Sequence, residues 1–342
     1  GASGLMLRRR NEPGMGQGGG SSRRMVFGLG VLWALTAGSF MLYHLKVAGQ
    51  SNWDKFDAVV TTVEAAQAEG LAITAAIYTY TAGSTGLDAA MPPWVQEGGY
   101  DAWSQRLQNS AIRDRVLSEM TVPTDEWENL GLAAGAEGTL FVGFRNPELR
   151  RYLGMTLAEV AAERETSAAD TVIDLVIEDG SRVQVVYFLM SEENVARGIA
   201  LPWVSFASDA RSMTSAGSFL EQSTHPRAYG NFARVLGKYV REEQVISLPE
   251  AIRKLSKLPA SNLKIRDRGE LRESYFADIV IFDPAQIQDH ATFDDPHQYA
   301  TGMAYVIVNG GIVISEGEHT GALPGQVVRG PGWRGWKDSD TD

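Results

Sequence analysis

One stretch of the sequence constrains the fold of this chain more than any other. The short strand-like run Ser205–Ser208 is followed directly by Asp209. His225, sixteen residues after Asp209, and Arg227 begin a segment with the pattern of a helix. In a β/α barrel, a carboxylate that follows a buried strand and precedes a loop lies at the carboxyl end of that strand, where active sites form. The stretch therefore predicts an α/β fold with Asp209 at a strand end.

A second part of the chain has the same strand and helix alternation. Residues 39–46 have the pattern of a strand, and Asp54–Glu69 has an apolar face typical of an amphipathic helix, which Gly70 ends. Leu71–Tyr80 is the next predicted strand, and Leu201–Asp209 is a later one. Strand, helix and strand in this order predict a right-handed parallel unit.

The segment between these strands is too long for a simple connection, so it predicts a separate structural unit. Residues 88–190 contain their own strand patterns and a capping box of Thr156 and Glu159, and they are interpreted as an inserted subdomain or lid. After residue 268 short strands follow, with Asn309–Gly310 as a hairpin signal. The predicted segments are a leader (1–38), barrel strands and a helix (39–87), the insertion (88–190), the last barrel strand with helices (191–267), a small β-sandwich portion (268–330) and a polar tail (331–342).

Composition excludes some functions. A net charge of −11 without a basic patch argues against nucleic acid and anionic membranes as partners. The absence of cysteine excludes disulfides and thiolate metal sites, and it fits a cytoplasmic location.

The first residues differ from the rest in composition. Residues 1–24 hold five arginines and one glutamate, and residues 25–43 carry no charge. Two interpretations stay open: a foreign leader joined to a strand near Ser39, or a signal or membrane anchor, which would make the protein exported or membrane-bound.

Four motifs together resemble one known family. They are Tyr43–Lys46, Ser205–Asp209, His225–Gly230 and Ala277–Pro284. In their order along the chain and in their amino-acid sequences, these motifs closely resemble the N-acyl-D-amino-acid deacylases of the amidohydrolase superfamily. The resemblance covers roughly residues 42–330. The resemblance implies a partial TIM-like (β/α) barrel made of its last strands, with an inserted subdomain and a C-terminal β-sandwich portion. It implies metal-dependent hydrolysis of the amide bond of small N-acyl-D-amino acids, with zinc as the cofactor.

The same resemblance assigns roles in the chemistry to two side chains. Asp209 matches the family's aspartate after the eighth strand, which acts first as general base and then as general acid. Its alternative role is to cap the following loop. His44 matches a histidine that ligates the metal at the end of the sixth strand, and its alternative role is that of a hydrogen-bonded core residue.

Four further side chains are candidates for contact with substrate, and two of them, Tyr78 and Ser84, match family positions that hydrogen-bond the substrate. Lys46, expected on the same strand face as His44, would hold the substrate's α-carboxylate. Tyr78 and Ser84 would donate hydrogen bonds to substrate, with strand packing and turn formation as their alternatives. Arg227 would touch substrate or hold the loop above Asp209.

Several features of the family are missing from the sequence. There is no His-x-His pair and no cysteine, and no histidine precedes His44. The chain is therefore expected to be the C-terminal part of a deacylase without its N-terminal metal-binding half. Two alternatives remain: a catalytically inactive fragment, or a cyclic amidohydrolase similar to dihydropyrimidinase or urease. Lys46 argues against the second, because cyclic amides have no α-carboxylate.

Overall fold

The computed structural model describes residues 31–32 and 39–330. The predicted tail 331–342 lies outside these residues, as does the predicted leader 1–38 except for residues 31–32. Of the uncharged run 25–43, residues 31–32 and 39–43 are described. Among the helices that the structure does describe, none combines the length and apolar character needed to cross a membrane.

The described residues form a mixed α/β fold. The strands are β1 (Val31–Leu32), β2 (Ser39–Leu42), β3 (Ala72–Ile77), β4 (Ala82–Gly86), β5 (Thr139–Gly143), β6 (Gln184–Phe188), β7 (Val204–Phe206), β8 (Ile279–Phe282), β9 (Met303–Val308), β10 (Gly311–Ser315) and β11 (Glu318–His319). The α-helices are α1 (Phe56–Ala68), α2 (Tyr100–Leu107), α3 (Ser110–Thr121), α4 (Leu130–Ala134), α5 (Leu157–Glu163), α6 (Ala168–Asp179), α7 (Glu192–Ala200), α8 (Arg227–Arg234), α9 (Leu248–Ile252) and α10 (Leu258–Asn262).

The sheet that positions the candidate site has the order β1-β2-β3-β7. Strands β2 and β3 are parallel, as are β3 and β7, which confirms the predicted strand–helix–strand unit around α1. Helix α1 buries Phe56, Val59 and Val63, the apolar face that the sequence indicated. Because parallel strands all end on one edge, the segments that follow β2, β3 and β7 meet there.

The prediction of a strand through residue 46 was wrong. β2 ends at Leu42, and the backbone turns through Tyr43 and His44, with His44 in the left-handed region at φ 43°. Lys46 nevertheless lies beside His44, with Lys46 Nζ 2.7 Å from His44 Nδ1. The backbone after β2 places the two side chains together, and not their spacing along a strand.

The segment between β3 and β7 contains a second sheet. Strands β4, β6 and β5 make an antiparallel three-stranded sheet, which packs with α2 to α6 around one apolar core shared with the parallel sheet. The predicted capping box is confirmed: Thr156 Oγ1 accepts from the backbone N–H of Glu159, whose carboxylate accepts from the N–H of Thr156. The cap fixes the start of α5, and the shared core joins this segment to the parallel sheet.

The C-terminal strands form a four-stranded antiparallel sheet in the order β11-β10-β9-β8. The predicted hairpin is confirmed, with Asn309 and Gly310 at φ 49° and 80°, as a two-residue turn of this kind requires. The side chains of β8, β9 and β10 are half-buried or exposed. That the sheet forms part of a β-sandwich stays a prediction.

Two π-helical segments occur among the helices after β7. α8 continues without a break into a π-helix, Val235–Glu242, and a second π-helix, Arg253–Lys257, lies between α9 and α10. Ser247 caps α9 by accepting from the N–H of Glu250. Pro249 and Pro259 lie in the first turns of α9 and α10, where a missing N–H is tolerated.

Candidate active site

The candidate site lies at the edge where β2, β3 and β7 end. Two of its residues adopt left-handed backbone conformations, His44 at φ 43° and Asp209 at φ 49°. Such conformations cost free energy for residues with a side chain and cluster at functional sites, where the surrounding structure enforces them. Both lie in the segments that sequence analysis singled out, 165 positions apart in the chain.

Both oxygens of the Asp209 carboxylate are engaged. The Tyr43 hydroxyl donates to Oδ1 at 2.7 Å, and Arg227 Nη1 forms an ion pair with Oδ2 at 2.9 Å. The Arg227 side chain is only 7% exposed, and its guanidinium lies over the Tyr78 ring at 4.5 Å. Burial, followed by the hydrogen bond to Asp209, raises the pKa of Tyr43 to about 12, so Tyr43 stays a donor.

Lys46 and His44 form the second half of the cluster. Lys46 Nζ lies 2.7 Å from His44 Nδ1 and 5.5 Å from the centre of the Tyr78 ring. Burial, and then the charge of Lys46, lower the pKa of His44, so its ring is neutral at pH 7 and accepts at Nδ1. Burial also lowers the pKa of Lys46 to about 8, although the charges of Asp209 and Glu128 oppose that shift. The ammonium thus remains protonated at pH 7.

Tyr78 lies between the two halves. Its ring contacts both Arg227 and Lys46, and its buried hydroxyl, although close to Arg227, forms no well-aligned hydrogen bond with the described residues. Burial raises the pKa of Tyr78 above its ordinary range, since the charged phenolate would be desolvated. Arg227 Nε is also buried without a hydrogen-bond acceptor among the described residues. A donor left unsatisfied in a polar site is a candidate for ligand contact.

Ser84 is placed differently from the other predicted substrate contacts. It lies within β4, and its hydroxyl donates to the carbonyl of Val185 on the neighbouring β6 at 2.9 Å. The structure therefore brings together His44, Lys46, Tyr78, Asp209 and Arg227, and it gives Ser84 a hydrogen bond within the antiparallel sheet of β4, β6 and β5.

Comparison with known proteins agrees with these motifs. Residues 204–314 match the model of an amidohydrolase family, Amidohydro_3. A D-aminoacylase from Alcaligenes xylosoxydans xylosoxydans is 33% identical over 289 residues, which cover 84% of this chain and 48% of the relative. An N-acyl-D-aspartate deacylase from the same organism is 42% identical over 144 residues, 42% of this chain and 27% of the relative. The chain is related to the N-acyl-D-amino-acid deacylases. It spans about half the length of the curated relatives that cover most of it.

A solved structure extends the likeness to the fold. A D-aminoacylase with a binuclear metal centre aligns with a TM-score of 0.63 at 30% identity, covering 85% of this chain and 49% of that one. The resemblance to the deacylases that the motifs predicted is therefore confirmed, and the mixed α/β architecture is one that a D-aminoacylase shares.

The described residues offer too few ligands for a catalytic zinc ion. No group of three His, Cys, Asp or Glu side chains within residues 39–330 is arranged to hold a metal ion. Catalytic zinc ordinarily takes three protein ligands and a water. His44 Nδ1 already contacts Lys46, and the Asp209 oxygens contact Tyr43 and Arg227. The described residues do not by themselves fit a zinc ion.

Sequence analysis missed two residues of this site. Tyr43 belongs to the Tyr43–Lys46 motif, but no role was predicted for it. Its position next to His44, a candidate metal ligand, is a signal that could have indicated one. Asn231 follows the His-Pro-Arg motif and is 1% exposed, with hydrogen bonds to Thr79 and Ala207. Only the tertiary structure shows these partners, because they lie 152 and 24 positions away.

Proposed function

We propose that this chain carries the acid/base and carboxylate-binding part of a site that hydrolyses the amide bond of N-acyl-D-amino acids. One observation carries the proposal: two cationic side chains, Lys46 and Arg227, meet a single carboxylate, Asp209, beside the neutral His44. The cluster retains one positive charge, and a substrate with one α-carboxylate would neutralise it.

The roles follow from the contacts. Asp209, held by Tyr43 and Arg227, would accept a proton from the attacking water and return it to the departing amine nitrogen. Lys46 would pair with the α-carboxylate, since its ammonium contacts a neutral imidazole rather than a carboxylate of the described residues. The buried, unpaired Nε of Arg227 and hydroxyl of Tyr78 would donate to the same substrate. Ser84 lies within β4 and bonds to Val185, which agrees better with its alternative role in strand packing than with substrate contact.

The fold assignment belongs to the same proposal. We infer that β2, β3 and β7 correspond to the last strands of a TIM-like barrel, that residues 88–190 form a lid, and that residues 268–330 are part of a β-sandwich. The parallel order and the shared carboxyl edge support this reading. We also infer that zinc serves the reaction, as a metal centre does in the related D-aminoacylase, with His44 among its ligands. The described residues leave that ligand set incomplete, so no catalytic step is assigned to the ion.

The test is turnover by the purified chain supplied with Zn²⁺. N-acetyl-D-methionine, its L-enantiomer and a hydantoin are compared, with release of the free amino acid or ring-opened product as the readout. We expect hydrolysis of the D-compound alone, lost in Asp209→Asn and retained in His290→Ala, whose side chain is exposed in the C-terminal segment. Hydantoin opening would favour the cyclic amidohydrolase instead.

A second candidate function is binding without turnover. The incomplete ligand set among the described residues favours it. Calorimetric titration of N-acetyl-D-methionine into the chain in EDTA distinguishes the two: binding in EDTA together with no product in zinc supports this candidate, and turnover contradicts it.

A further inference from the structure

Asn231, the residue directly after the His225–Gly230 motif, has no role in the proposed chemistry. Arg227 and Asn231 lie four residues apart on α8 and therefore share one face of the helix. Arg227 reaches Asp209, whereas Asn231 reaches the backbone of the strand ends rather than any reacting group.

The Asn231 side chain joins two strand ends. Its Oδ1 accepts from the backbone N–H of Thr79 at 2.9 Å and from the Thr79 hydroxyl at 3.0 Å, just after β3. Its Nδ2 donates to the carbonyl of Ala207 at 3.1 Å, just after β7. The amide thus continues the pairing of β3 with β7 beyond the last backbone bond, from Ala207 N–H to the carbonyl of Ile77.

These two anchor points adjoin the candidate site. Thr79 follows Tyr78, and Ala207 precedes Asp209 by two residues. Asp209 occupies a left-handed conformation that the surrounding structure must enforce, and Ala207 is the last residue before it with a backbone bond into β3. A shift of Ala207 would therefore move the carboxylate away from Tyr43 and Arg227.

The helix itself is fixed at close range. His225 is buried, contacts the carbonyl of Ala82 through Nε2 at 2.8 Å, and accepts from the N–H of Arg227 at Nδ1. A Cβ at Gly230 would lie 2.4 Å from the Tyr80 hydroxyl and 3.1 Å from Asp289 Cβ, so the glycine lets α8 pack closely against these two side chains. The position of the Asn231 amide is thus set by contacts on both sides of it.

We propose that Asn231 is a positioning residue: its amide holds the ends of β3 and β7 so that Asp209 and Tyr78 stay in place around Arg227. The consequence for catalysis rests on the proposed function, whereas the geometric claim does not. A displacement of about 1 Å at reacting groups is enough to slow catalysis about a hundredfold.

The test compares two asparagines that each tie two segments through their amides. Asn231→Ala removes all the side-chain bonds at the site. Asn129→Ala removes a cap on α4 and a bond to the carbonyl of Met120 within the insertion. Crystal structures of both variants and their kcat and KM for N-acetyl-D-methionine are measured. We expect Asn231→Ala to lose the 2.7 Å contact between Tyr43 and Asp209 and to lower kcat tenfold or more with a smaller change in KM. Asn129→Ala should leave the Tyr43–Asp209 contact, kcat and KM unchanged.

Other outcomes are informative. If Asn231→Ala does not fold, Asn231→Asp serves, because it keeps the acceptor for Thr79 and, when ionised, lacks the donor to Ala207; a displaced Asp209 is again expected. A folded variant that retains the Tyr43–Asp209 contact and its kcat overturns the proposal. If the unaltered chain shows no turnover, the proposed function fails, and the crystal structures still decide the positioning role.

Discussion

A lysine lies at each end of the parallel sheet, and the two differ in burial and in contacts: Lys254 is buried, whereas Lys46 is half-buried. Lys254, fully buried, donates to the carbonyls of Ile199 and Leu201, which precede β7 at its amino end. Lys46, at the carboxyl end, contacts a neutral imidazole and lies near donors without acceptors among the described residues. The amino end satisfies its polar groups with backbone and so supports the fold, whereas the carboxyl end leaves charge available for a ligand.

The largest expected effect is on kcat, and it is tested by comparing two aspartates that each pair with an arginine. Asp209→Asn is expected to lower kcat about 10²- to 10⁴-fold, the usual contribution of a general acid/base, and also to lower stability, because the buried Arg227 loses its carboxylate partner. Asp289→Asn, which weakens the buried ion pair with Arg234, is expected to lower the free energy of unfolding by about 1–3 kcal/mol and to spare kcat. Steady-state kinetics and urea unfolding measure both. Equal effects of the two variants on kcat would refute the acid/base role proposed for Asp209.

A second prediction concerns the pH dependence of stability at the amino end. Burial lowers the pKa of Lys254 to about 8 in the folded chain, below its ordinary value of 10.5. Between these values the unfolded chain binds the proton and the folded chain does not, so stability rises with pH from about 8 to 10.5. The gain is on the order of 3 kcal/mol at most.

Urea unfolding at pH 7 to 10.5 of the unaltered chain and of Lys254→Met isolates this term. The difference in the free energy of unfolding between the two proteins should grow with pH in favour of the unaltered chain. A constant difference across that range would show that the ammonium of Lys254 is not desolvated.

The third prediction tests the lysine at the carboxyl end. Lys46→Met should raise KM for N-acetyl-D-methionine about 10- to 100-fold, since a hydrogen bond to a charged group contributes about 1.5–3 kcal/mol. The kcat value should change less, because Lys46 does not contact the reacting atoms in the proposed scheme. Lys254→Met is the matched control, and an unchanged KM in Lys46→Met would remove the proposed carboxylate contact.

The smallest effect is expected far from both ends. Thr156→Ala removes the side-chain half of the capping box on α5 and should cost about 1 kcal/mol of stability. Kinetic constants should stay the same, and thermal unfolding gives the readout. A change in KM would mean that the insertion takes part in substrate binding more directly than its local caps suggest.

Local patterns predicted much of the fold because their physics is local. The capping box at Thr156, the apolar face of α1 and the Asn309–Gly310 turn each depend on residues a few positions apart, and each is confirmed. The strand through residue 46 was wrong, because the alternation pattern does not reveal where a backbone turns. The π-helical segments were missed since they continue α-helices without any change in the residue pattern.

The sequence by itself determined the types of residue at the site and the family that they resemble, because Tyr43–Lys46 and Ser205–Asp209 are read directly from the chain. Only the tertiary structure decided that Tyr43 and Arg227 hold Asp209, that Ser84 bonds within a sheet, and that Asn231 joins two strand ends. The contacts of Tyr43, Arg227 and Asn231 join positions up to 166 residues apart, and they form only when the parallel strands align their carboxyl ends on one edge. The Ser84 bond depends instead on the antiparallel pairing of β4 with β6.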